Sequence, residues 1–214
     1  MRWRLWMMVA VLSACGGRPP PTPPPSLADE LAEDGEGEVR IAGIPLPRLP
    51  LEVSPSDPAL AAGWDRAEAA LTMPSPRPPT GEAWEVESWA DEELGGWMRR
   101  RAEIIGAAQR ALEPARAGRP EHSVVASFLL GLAYSRFALD LRGIETPHAF
   151  AEDPERVRAF RAAMEQAAQP LWLRALDAFG SCASVASAAP AHSLARWRER
   201  CDAELRAVEP LLPD

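Results

Sequence analysis

Lysine is missing altogether: all 23 basic residues of the 214-residue chain are arginines, set against 31 acids for a net charge of −8. An acidic surface repels phosphate, so nucleic-acid binding is disfavoured. Arginine-only usage reads as codon bias in a GC-rich genome, because no local cluster calls for the fork geometry of a guanidinium. Arg99, Arg100 and Arg101 step around a helix by about 100° each and read as a solvated face beside Asp91, Glu92, Glu93 and Glu103. Histidine is almost as scarce. His122, His148 and His192 stand at no metal-ligand spacing and beside no motif serine, so each reads as a solvent-facing or capping residue. A glycine-rich phosphate loop, a nucleophile elbow and a zincin helix are also missing. Glu121-His122 and the acidic clusters are the sole carboxylate candidates, and no geometry assigns them a reaction. The expectation is a non-enzyme without metal or other cofactor.

What is present begins at the first residue. Arg2 and Arg4 form a cationic segment, Leu5 to Leu12 an apolar one of eight residues, and Ser13 and Ala14 are small residues before Cys15. That three-part order is the grammar of a secretory signal. Eight apolar residues fall well short of the about 20 that span a bilayer as a helix. Leu12-Ser13-Ala14-Cys15 resembles the lipobox of bacterial lipoproteins, in which Leu, a small residue and Ala or Gly precede an invariant cysteine. The resemblance implies that the signal, residues 1–14, is removed, that Cys15 carries a diacylglyceryl group, and that the new amino terminus is acylated. Several acyl chains at about 0.8 kcal/mol per buried methylene anchor stably, where one would hold only marginally. Gly16, rather than Asp, after the cysteine implies the outer membrane, with the mature chain facing the periplasm.

Proline divides the rest of the chain. Fifteen of the 23 prolines lie in residues 1–79. Pro19 to Pro25 favours polyproline II, a semi-rigid spacer rising about 3.1 Å per residue. Residues 26–38 are acidic and poor in large apolar groups, which predicts disorder. Residues 39–53, VRIAGIPLPRLPLEV, alternate apolar residues with proline. They cannot form an interior strand, and either lie extended across the chain's own folded surface or dock a partner. The tether is expected over residues 15–53 and the helical domain over residues 54–214.

That domain reads as about five helices. Ser56-Asp57-Pro58 offers a start for the first, to about Met73, and Thr80 a cap for the second. Trp97, Ile104, Ile105, Ala108, Ala111 and Leu112 make a stripe at helical period, with Gly95-Gly96 able to bend the helix upstream. Trp84, Trp89 and Trp97 fall near about 0°, 140° and 220° on an ideal helix, so they read as core or rim packing rather than one aromatic platform. The third helix, about Glu121 to Leu141, is apolar nearly all round and should be central; Ser123, Ser127, Gly131 and Ser135 give it a small-residue edge for a close neighbour. Only Val124 to Tyr134, eleven residues, is uninterruptedly weakly polar or apolar, too short for a membrane crossing. Asp153-Pro154-Glu155 starts a long helix whose inward face runs from Val157 through Phe160, Met164, Ala167, Leu171, Ala175, Ala178 and Cys182 to Val185, with Pro170 set to kink it. A last helix is expected after Pro190, capped by Ser193, with Leu194, Trp197, Cys201, Leu205 and Val208 inward.

Cys182 and Cys201 remain once Cys15 is lipidated. On an antiparallel hairpin turning near residue 190 they reach heights within about 3 Å of each other, at 1.5 Å per residue, and point into one groove. Outside the cytoplasm a disulfide is the natural reading, ahead of two buried thiols. Leu130-Gly131-x-x-Tyr134 and Ala175-x-x-x-Phe179-x-x-Cys182 resemble the two helices of a tetratricopeptide-type hairpin, although no period of about 34 residues runs along the chain. The resemblance implies a protein-binding scaffold. The functional expectation is an envelope lipoprotein, anchored in the bilayer, whose helical domain binds or assembles another envelope protein. The alternative is a periplasmic carrier of a small apolar ligand or lipid within the bundle.

Overall fold

The structure is a computed structural model that describes residues 39–50, 53–189 and 194–212. Cys15, the tether up to residue 38, His192 and Ser193 lie outside the described residues. Among the described residues the fold is an all-α bundle of five helical rods. They are α1 (Ala61–Thr72); α2 (Ala83–Trp89), which continues through a π-helical turn (Ala90–Leu94) into α3 (Gly95–Arg116); α4 (Pro120–Gly143); α5 (Pro154–Ala188); and α6 (Ala195–Val208).

α4 sits at the centre, as its all-round apolarity predicts. Arg119 is extended, Pro120 takes the first helical position, and Glu121 lies in the first turn, where an acid suits the helix dipole. Seventeen of its 24 residues are buried, and it packs on α5 most extensively, then on α3 and α1. In length and apolarity α4 passes for a membrane span, yet 83% of that window is buried inside the protein. Its small-residue edge receives α5: a Cβ at Gly131 would lie 2.5 Å from Phe179 Cε1. One turn away, Phe128 is wedged between Phe179 of α5 and Trp197 of α6, with ring centroids 5.5 and 5.4 Å apart.

α5 begins at the expected cap. Asp153 Oδ1 accepts from the N–H groups of Glu155 and Arg156, at 3.0 and 3.2 Å, and Pro154 follows the cap. Its fully buried line is rotated slightly from the expected one. Ala168, Trp172, Phe179, Ala183 and Ala186 join Met164, Ala175, Ala178 and Cys182 inside, whereas Val157, Phe160, Ala167, Leu171 and Val185 are only half-buried. α6 returns along α5, and the Cα atoms of Cys182 and Cys201 lie 6.1 Å apart in a disulfide buried on both sides.

The α2–α3 rod departs from its predicted start. α2 begins at Ala83, and no side chain caps it; Thr80 lies upstream in the loop. The Gly95 N–H bonds to the carbonyl of Ala90, the five-residue step of a π turn. Such a turn absorbs one extra residue, so Trp89 to Trp97 turns roughly as seven α-helical residues would, which is about two whole turns. Trp89 and Trp97 therefore share the inward face, at 5% and 3% exposure, while Trp84 is left 64% exposed. Within the α3 stripe Ile105, Ala108 and Leu112 are buried, and Ile104 and Ala111 only half so.

The compact domain starts before residue 54. Arg40–Ile41 (β1) and Ile44–Pro45 (β2) pair antiparallel through a two-residue turn, Ala42-Gly43, in which both φ angles are positive at 51° and 81°. The Ala42 N–H donates to Glu68 Oε1 on α1, at 3.2 Å. Ile41, Leu46 and Val53 are buried in the common core, and the Trp197 indole N–H donates to the Arg48 carbonyl at 3.1 Å. The tether boundary expected at residue 53 thus falls too late: from Val39 the chain is a strap tied down on the helices. α1 in turn begins at Ala61, after a turn in which Asp57 Oδ1 accepts the Ala59 N–H.

Candidate functional site

A cleft opens where α3, α4 and α5 meet. Gln109 and Arg116 lie seven residues apart on one side of α3, Leu130 and Tyr134 one turn apart on α4, and Arg174, Asp177 and Ala178 along one turn of α5. Its volume is about 280 Å³. Leu130, Tyr134 and Ala178 form a buried floor. The Tyr134 hydroxyl donates to Gln109 Oε1 at 2.8 Å, and the Arg174 guanidinium stands 5.6 Å from the Tyr134 ring centroid. Arg116 Nη1 reaches Glu113 Oε2 at 3.4 Å, while its Nε is shielded from solvent and has no acceptor among the described residues. The cleft therefore holds two guanidinium groups, that of Arg174 over the Tyr134 ring and that of Arg116 on the α3 side, with the Asp177 carboxylate beside them. Gln109 also lines a neighbouring cleft of about 390 Å³ with Gly106, Arg110 and Glu113, so the depression continues along α3. Leu130 and Tyr134 belong to the tetratricopeptide-like motif of α4, and Gly131 between them meets Phe179 of the matching motif in α5.

A second cleft, of about 300 Å³, lies beside α2 and the π turn. The loop residues Arg77 and Pro79, the tryptophans Trp84 and Trp89, and Ser88 line it with three acids, Glu85, Glu92 and Glu93.

Arg101 overturns the reading of Arg99 to Arg101 as a solvated face. It is wholly buried between α3 and α4, its Nη1 bonded to Asp140 Oδ2 at 2.6 Å. Its guanidinium carbon lies 5.3 Å from the Trp97 ring centroid and 5.1 Å from that of Phe137. Burial lowers the Arg101 pKa from its ordinary value, and Asp140 opposes that shift. Arg136 Nε approaches Asp140 from the solvent side at 3.1 Å. This pair braces the core and opens into neither cleft.

His122 is likewise not solvent-facing. It is buried, and its Nε2 lies 2.8 Å from Asp57 Oδ2, joining the turn before α1 to the start of α4. The hydrogen bond from His122, aided by the Ala59 N–H, holds the Asp57 carboxyl below its usual value. His148 is exposed, at the start of a short 3-10 turn, and Glu121 is half-buried. Among the described residues no three acidic, histidine or cysteine side chains cluster as metal ligands. Of the site residues named from sequence, Cys182 and Cys201 come together, and Cys15 lies outside the described residues. Sequence reasoning missed both clefts; the motif residues Leu130 and Tyr134 were the one signal pointing toward the first. No protein-family model, curated protein or solved structure matches the chain.

Proposed function

We propose that the chain is an envelope lipoprotein, anchored through acylated Cys15, whose helical bundle is a scaffold that binds a partner protein at the α3–α4–α5 cleft. The observation that carries this reading is the pair of cations in that cleft: Arg116 and Arg174 line it together, with Arg174 lying over Tyr134. Guanidinium groups lining a concave surface bind carboxylates through charge-assisted hydrogen bonds, so an acidic segment of a partner gains there. The tetratricopeptide-like residues Leu130 and Tyr134 in the wall agree with a protein-binding role. The reading places the bundle in the periplasm, held to the outer membrane, with no cofactor and no reaction of its own. The apolar-carrier alternative gains less support, because Phe128, Phe179 and Trp197 fill the space between α4, α5 and α6.

The test is photo-crosslinking in intact cells from position 177, in the wall of the cleft, in the parent and in Arg174→Glu. A single crosslinked partner band is expected in the parent and at least a tenfold weaker one in the variant. Bands of equal strength in both, or a soluble unacylated product on fractionation, would overturn the reading.

A further inference from the structure

The second cleft differs from the first in charge and in chemistry. Glu85, Glu92 and Glu93 line it against a single cation, Arg77, so its balance is acidic. Trp84 is 64% exposed there, an unusual position for so large an apolar side chain when packing is its only purpose. Trp89, beside it, is only 5% exposed, and its indole Nε1 has no hydrogen-bond partner among the described residues. That nitrogen is shielded from solvent, so the ring serves the cleft as an apolar wall beside Trp84. The acids Glu92 and Glu93 belong to the π turn, a helix irregularity that recurs at functional sites.

The cleft thus has two unmet needs: a flat apolar group for Trp84 and a cation for the glutamates. A polyproline II segment meets the first, because its proline rings stack on aromatic faces and little conformational entropy remains to be lost on docking. An arginine within the segment meets the second, since its planar fork pairs with carboxylates. The loop that borders the cleft, Pro74-Ser75-Pro76-Arg77-Pro78-Pro79, is itself of this composition, and its Arg77 and Pro79 line the same cleft as the two tryptophans.

We propose that the Trp84–Trp89 cleft binds an extended, arginine- and proline-containing segment of a partner protein. This site is separate from the α3–α4–α5 cleft and does not depend on the reading of that one. Trp84 stacks on proline, the Trp89 ring backs the groove, and Glu92 with Glu93 holds the arginine. A segment carrying acids, or one lacking prolines, is discriminated against by repulsion or by the entropy of ordering it.

The experiment is fluorescence anisotropy of the full-length protein in detergent with labelled (Arg-Pro-Pro)3, against (Ala-Pro-Pro)3 and (Arg-Gly-Gly)3. The arginine–proline peptide is expected to bind at least tenfold more tightly than either control. Trp84→Ala should lose that binding at least tenfold with an unchanged melting temperature, because Trp84 packs mainly against solvent. Glu92→Gln with Glu93→Gln should weaken it and flatten its salt dependence. Arg174→Glu should leave it unchanged, which separates failure of this site from failure of the other. Equal binding of all three peptides, or binding indifferent to Trp84→Ala, overturns the proposal. Self-association without peptide that Trp84→Ala abolishes would give the cleft to a second copy, and would also overturn it.

Discussion

Arg101 and Asp140 show how much one side chain's surroundings decide. Three consecutive arginines share a helix, and only the last of them, Arg101, falls on the inward Trp97–Arg101–Ile105 face, where two aromatic rings and one carboxylate receive its charge. Taking one partner away from such a pair strands the other in low dielectric. Asp140→Asn is therefore expected to destabilise by about 3 kcal/mol or more, read from the urea midpoint at constant slope. Arg101→Met, which removes the charge and keeps much of the volume, should cost clearly less. The reverse order of the two variants would show that the pair is not what holds α3 against α4. Two further guanidinium atoms of Arg101 have no acceptor among the described residues, so the ring faces, rather than hydrogen bonds, accommodate the rest of the charge.

Among the elements, the α5–α6 hairpin is the one whose packing could be laid out beforehand from spacing alone. Helical rise and two inward cysteines on antiparallel neighbours are enough to place the sulfurs together, and the Cα separation of 6.1 Å agrees. The bridge spans 19 residues. Replacing both cysteines with alanine should lower stability by about 3 kcal/mol, measured by guanidinium unfolding of the oxidised parent and the variant. Identical midpoints would mean that the hairpin needs no covalent tie. The α2–α3 rod could not be laid out in the same way. A π turn shifts the phase of everything after it by about one residue, so tryptophans that scatter on an ideal helix divide instead into a buried pair and one exposed ring.

At the scale of the molecule, the strap of residues 39–50, with Val53, is part of the fold. Its apolar residues, interrupted by prolines, suit an extended segment lying on a surface, and a hairpin turn at Ala42-Gly43 feeds Ile41 into the core. A chain beginning at Ser54, the boundary suggested by helical periodicity, would lose Ile41, Leu46 and Val53 and leave the Trp197 N–H without the Arg48 carbonyl. At about 1.5–3 kcal/mol per buried aliphatic side chain, it should be less stable than a chain beginning at Glu38 by roughly 4 kcal/mol or more. Equal urea midpoints for the two would reduce the strap to an ornament of the surface. The two clefts belong to this scale as well: one joins three helices, and the other joins a loop to a π turn.

By itself the sequence determined the all-α class, the central place of α4, the Asp153 cap and the pairing of Cys182 with Cys201. Helices are built from bonds between residues three or four apart, and their caps and apolar periods are written just as locally. Tertiary structure alone decided that Arg101 goes inside, that His122 meets Asp57, that the strap closes on Trp197, and that two clefts of unlike charge form. Those outcomes join residues 39, 65 and 149 positions apart. No local pattern encodes such distances, because the free energy that selects them arises only when separate elements exclude water together.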